Sequence, residues 1–86
     1  MSYKSFLEKR TIFFKGVERP MMEIFIRHLP EDDVDAWSRR DSVKNLIGLI
    51  GAQLDLQLEC RSIDNKANKM FTKLKIKMYP KQNQCI

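Results

Sequence analysis

The sequence predicts a small α+β domain: a short N-terminal helix, then strand–helix–strand–strand, with one main helix packed on a three-stranded sheet. Three observations lead there. Residues 54–61 and 70–79 alternate apolar and polar side chains around an Asp/Asn-rich segment, the pattern of a β-hairpin. Val43, Leu46, Ile47, Ile50 and Leu54 recur at helical spacing just before it. And 86 residues leave room for one hydrophobic core only. Residues 1–80 are read as that single domain, and 81–86 as a flexible tail.

Composition narrows the class. The chain is 43% hydrophobic and 31% charged, which fits a soluble globular protein and excludes disordered, collagen-like and membrane-spanning chains. Two cysteines do not make a disulfide scaffold. The N-terminus has no signal-peptide apolar run, and the longest apolar stretch, residues 46–52, falls far short of a spanning helix. Cys85 stands second from the end, so a prenylation signal is missing. A reducing, cytoplasmic setting is expected.

Taken in order, residues 2–16 read as an amphipathic helix. Ser5 and Glu8 have capping-box spacing, and Gly16 suits the residue after a helix. A strand over 10–15 is the rival, because Thr11, Ile12, Phe13 and Phe14 are strong strand formers. Residues 21–29 read as a strand between two prolines, with Met22, Ile24 and Ile26 on one face and Glu23, Phe25 and Arg27 on the other. Glu31, Asp32, Asp33 and Asp35 open a short helical turn that reaches Trp37, since acids favour the positive end of a helix. The main helix follows, with Asp41 or Ser42 as its cap. In the hairpin, pairing Leu58 with Leu74 sets Leu56 against Ile76 and Leu54 against Met78. The same register sets Glu59 against Lys73, Gln57 against Lys75 and Asp55 against Lys77, so both faces agree. Pro80 stops the last strand.

Charge is segregated along the chain. Residues 1–30 carry six basic and three acidic side chains, residues 31–64 four and eight. Residues 65–86 carry six lysines and no acid, so the last quarter supplies the net +5. Lys73, Lys75 and Lys77 share one strand face, flanked by Phe71 and Tyr79, with Lys66 and Lys69 just upstream. Such a ladder can track phosphates while the rings stack on bases. A solvated Lys/Glu face that guards a sheet edge has the same appearance.

Other chemistry finds little footing. His28 is the only histidine and reads as a surface or sheet-end residue rather than a metal ligand beside Asp32 or Asp33. The 31–35 acids lack the glycine and distal glutamate of a calcium loop. Cys60 reads as buried and Cys85 as a tail residue, so neither makes a nucleophile. Gly48 and Gly51 form a small-residue stripe for close packing against the sheet or a partner helix, and Trp37 reads as a core or interface anchor. The expectation is a non-enzymatic binding protein without cofactor or metal. It engages nucleic acid through Lys66, Lys69, Phe71, Lys73, Lys75, Lys77 and Tyr79. One alternative is a protein-binding regulator with a merely solvated basic face. Another, less favoured, is membrane-surface attachment through residues 3–15. A homodimer is expected. A chain this short buries only roughly 60% of its unfolded surface, and a three-stranded sheet leaves an edge open.

Overall fold

A computed structural model describes residues 3–37, 39–64 and 70–80, the Trp37 side chain excepted. The elements run α1 (Tyr3–Glu8), β1 (Ile12–Glu18), β2 (Met21–Arg27), α2 (Val34–Trp37), α3 (Arg40–Leu54), β3 (Leu56–Asp64) and β4 (Phe71–Pro80). The class is α+β, as the sequence predicts. The sheet has four strands rather than three, in the order β1-β2-β4-β3, and every neighbouring pair is antiparallel.

The extra strand comes from the N-terminal segment. The helix stops at Glu8, and residues 12–18 pair with β2, Phe13 facing Phe25 and Lys15 facing Glu23. Ile12, Phe13 and Phe14 fit a pleated surface, and pairing with β2 settles their state. Ser5 lies inside α1 and is not its cap. Gly16 sits in β1 at φ +61°, where the register with β2 shifts, so its missing Cβ serves a strand irregularity and not a helix end.

The main helix begins one residue before Asp41. Its N-cap is Arg39, which makes no side-chain cap bond. It ends where Asp55 takes the left-handed conformation (φ 55°) and returns its N–H to the last turn. The chain then reverses directly into β3. Gly51 makes that reversal possible, since a Cβ there would stand 2.7 Å from the Leu56 carbonyl oxygen.

The hairpin keeps its predicted faces but not its register. Leu58 pairs with Met78, Cys60 with Ile76 and Glu59 with Lys77, four residues from the Leu58–Leu74 alignment. Leu54 belongs to α3, and β3 runs on to Asp64, beyond the Arg61 at which its alternation stops. An offset of four preserves the side-chain alternation, which is why the apolar and polar faces are as predicted. Arg61 is the extra residue of a bulge between Cys60 and Ser62.

The core lies between the helices and one face of the sheet. Met22, Ile24 and Ile26 of β2 and Leu74, Ile76 and Met78 of β4 meet Val43, Leu46, Ile47 and Ile50 of α3 and Phe6 and Leu7 of α1. Leu56, Leu58, Cys60 and Ile63 of β3 are half-buried at its margin. Side-chain hydrogen bonds to Ser42 and Asn45 pull the Tyr3 hydroxyl down from its ordinary pKa and tie α1 to α3. Among the described residues, no helix is long and apolar enough to cross a membrane.

Candidate functional site

The helices cover one face of the sheet; the other face carries the side chains that alternate with the core. Each row across it can be read from the register. Phe13 (β1), Phe25 (β2), Lys73 (β4) and Asp64 (β3) form one row. Lys15, Glu23, Lys75 and Ser62 form the next, and Met21, Lys77 and Glu59 the one after. Arg27 stands beside Phe71 at one end and Gln57 beside Tyr79 at the other.

Two features follow. Phe13, Phe25 and Phe71 gather at one end of the face, with the Phe13 and Phe71 rings 6.3 Å apart between centroids and inclined at 57°. Phe13 is half exposed. Beside them Lys73, Lys75 and Lys77 run down the central strand β4. Lys75 is exposed, while Lys73 and Lys77 are half-buried among their neighbours. The lysines and Phe71 share one face, as their alternation in the sequence implies. Phe13 is missing from the expected site because residues 2–16 read as helix, and Phe25, read on the polar face of its own strand, joins the site only through the pairing of β2 with β4 and β1.

The field of the ladder is moderated. Lys73 Nζ lies 3.4 Å from Glu23 Oε2. Glu59 accepts a hydrogen bond from the Tyr79 hydroxyl at 3.0 Å and sits 3.4 Å from Arg61. Lys77 Nζ stands 5.3 Å over the Tyr79 ring. The acids opposite the lysines are thus Asp64, Glu23 and Glu59, not the Glu59 and Asp55 of the expected register. Lys66 and Lys69 fall outside the described residues, as do Cys85 and the tail.

A second constellation has no counterpart among the expected sites. His28 is buried, not at the surface, and its Nε2 lies 2.5 Å from Thr72 Oγ1. Its Nδ1 lies 3.5 Å from Asp32 Oδ2. Asp32 in turn accepts hydrogen bonds from Arg10 Nε at 2.9 Å and from the Leu29 N–H at 2.8 Å, and a second from the Arg10 guanidinium. Arg10 also donates to the Phe6 carbonyl and lies 3.6 Å over the Phe6 ring. Burial, aided by the Arg10 charge, holds the His28 pKa below its ordinary value. A hydroxyl, an imidazole and a carboxylate in line resemble a nucleophilic triad, but Thr72 is wholly buried and no substrate reaches it. The network ties α1, the β2 end and β4 together. Asp32 is therefore engaged by Arg10 rather than by a helix start. Among the described residues no three His, Cys, Asp or Glu side chains are grouped to hold a metal ion.

Comparison with protein-family models, curated proteins and solved structures finds no match. The site is read from its own chemistry.

The remaining expected residues have simpler places. Gly51 serves close packing within the chain, against the start of β3, whereas a Cβ on Gly48 would meet nothing within 4 Å. The α1 residues Phe6 and Leu7, counted toward a membrane-facing surface, are in the core. Gly48 borders a groove of about 800 Å³ between α3 and the outer strand β3. Cys60 lies in it, half-buried, its thiol pKa pushed up by burial.

Proposed function

We propose that this protein is a non-enzymatic binder of single-stranded nucleic acid, acting in a reducing compartment such as the cytoplasm and using the helix-free face of its sheet. The observation that carries the reading is the juxtaposition of Phe13, Phe25 and Phe71 with the Lys73, Lys75 and Lys77 column on adjacent strands. Rings on such a sheet face offer bases a stacking surface worth about 1–3 kcal/mol per base. The lysines beside them neutralise phosphates and release counterions. Duplex DNA fits less well, because the helix-free face presents strands and no projecting helix to enter a major groove. Tyr79 extends the aromatic row at the far end of β4, and Lys15 and Arg27 border it.

The test is fluorescence anisotropy with labelled single-stranded DNA and RNA homopolymers at low salt. Binding that weakens in Phe13→Ser and falls linearly on a log–log plot against salt supports the proposal. A wild-type protein that binds neither polymer overturns it.

A second reading has its own observation. Phe14 and Val17 of the outer strand β1 are exposed, and Phe14 lies on the helix side of the sheet beyond the helices. Exposed apolar groups on an edge strand suit a second copy of the chain, so the protein acts as a dimer in this account.

A further inference from the structure

The groove between α3 and β3 is separate from the helix-free face and carries its own chemistry. β3 is the last strand of the sheet, bonded to β4 on one side only. Alternate residues along its outer side direct backbone N–H and C=O groups away from the sheet. Its core-side residues Leu58, Cys60 and Ile63 are half-buried and form an apolar wall, and Val43 and Ile47 of α3 close the floor. The rim is charged. Arg40 and Lys44 stand one turn apart on α3, while Glu59, on the helix-free face, holds Arg61 to itself. Glu59, the one carboxylate of the lining, is already engaged by Arg61 and by the Tyr79 hydroxyl.

We infer that this groove takes an extended acidic peptide segment of another protein, which adds a strand to the outer edge of β3. The spacing argues for it. Four residues of α-helix rise about 6 Å, so Arg40, Lys44 and Gly48 are set at about 6 Å intervals along α3. Side chains on one face of a strand recur about every 6.6 Å. An added strand therefore presents successive same-face side chains to Arg40, Lys44 and Gly48 in turn. Acids match the first two positions. An apolar side chain matches the third, where the missing Cβ of Gly48 leaves open space. The recognised pattern is acid-x-acid-x-apolar, or its reverse, in extended backbone. Main-chain hydrogen bonds to β3 supply affinity, and the groove-facing positions supply selectivity. A second copy of β3 fits poorly, because pairing two such edges brings two Arg40–Lys44 rims together.

The test uses an eight-residue labelled peptide with Glu at positions 3 and 5, Leu at 7 and Thr elsewhere, together with its twin carrying Lys for Glu. Fluorescence anisotropy is expected to show the Glu peptide binding at least about tenfold more tightly. Arg40→Gln and Lys44→Gln are each expected to weaken it by up to about fivefold, the range of exposed ion pairs. Gly48→Phe replaces an exposed mid-helix glycine whose Cβ position is open, and with its circular dichroism spectrum and Tm matching wild type it is expected to abolish binding. Slowed amide exchange in β3 on adding the peptide places the new strand. Equal affinity for both peptides, unchanged binding in Gly48→Phe, or protection appearing on β1 instead of β3 overturns the inference. A dimer that dissociates in Gly48→Phe also overturns it, and gives the groove to a second copy.

Discussion

Replacing Asp32 by Asn probes the fold where it is most exposed to a single change. The Asp32 carboxylate is the counter-charge of Arg10, and the two side chains are only 4% and 1% exposed. Asn can still accept a hydrogen bond from the Leu29 N–H, but it removes the carboxylate that pairs directly with the buried guanidinium and leaves only the charge of nearby Glu31. Breaking a buried pair in this one-sided way costs about 3–5 kcal/mol. A domain of this size has roughly 4–13 kcal/mol in total at about 0.05–0.15 kcal/mol per residue, so the loss is a large part of it. With about 4–8 °C per kcal/mol for a small domain, even the lower figure lowers Tm by about 12–24 °C. Thermal and urea unfolding followed by circular dichroism measure it. Arg10→Met, Asp32→Leu and the two together make a separate double-mutant cycle. The pair of changes is expected to cost at least about 2 kcal/mol less than the two single changes summed, because no lone charge remains. An Asp32→Asn loss below about 1 kcal/mol, with no coupling in the cycle, would refute the reasoning and make the pair equivalent to an exposed one.

His28 makes stability depend on pH. Its folded pKa lies below the ordinary value near 6.5, so its contribution is complete above that pH and is lost as pH falls toward the folded value. Unfolding free energy measured from pH 7.5 to 5 should decline by at most about 1.4 kcal/mol per unit, and His28→Gln should flatten that decline. The two helix glycines should respond in opposite ways. Gly51→Ala drives a Cβ to 2.7 Å from backbone and should destabilise by about 1–3 kcal/mol, while Gly48→Ala should stabilise by about 0.5–1 kcal/mol in the same urea titration. Replacing Lys73, Lys75 and Lys77 together by Gln should reduce the salt slope of single-strand binding by about 0.7 for each phosphate left without its lysine, with the circular dichroism spectrum unchanged. An unchanged slope would place the phosphates elsewhere.

The parts of the fold visible in the sequence are those with local periodicity. Met22, Ile24 and Ile26 announce β2, Val43 to Ile50 announce α3, and Leu74, Ile76 and Met78 announce β4, because each set repeats at the spacing of its own element. Residues 12–18 carry no such signal. Phe13 and Phe14 are adjacent and both partly exposed, so neither period fits them, and only pairing with β2 settles their state. The hairpin register is not legible either, because alternation fixes which face a side chain takes, not which residue it meets; a bulge at Arg61 and a helix that holds Leu54 shift the partners. Half of the candidate surface is therefore legible. Phe71 and the lysines lie on β4, whose alternation is clean, whereas Phe13 and Phe25 join them only through long-range pairing. The Arg10–Asp32–His28–Thr72 network is invisible for the same reason. Its members lie up to 62 positions apart along the chain, and each has an ordinary local role available.

The proposed binding face rests on Phe13, Phe25 and Phe71 stacking bases while the β4 lysines hold phosphates. Its most direct measurement is the affinity of Phe13→Ser for a labelled single-stranded homopolymer at low salt, beside wild type. Phe13 is half exposed and on an outer strand, so the change leaves the core untouched. Loss of one stacking surface predicts a weakening of about 5- to 150-fold, the equivalent of about 1–3 kcal/mol. Wild-type binding that Phe13→Ser leaves unaltered, or no binding to either DNA or RNA, would contradict the account.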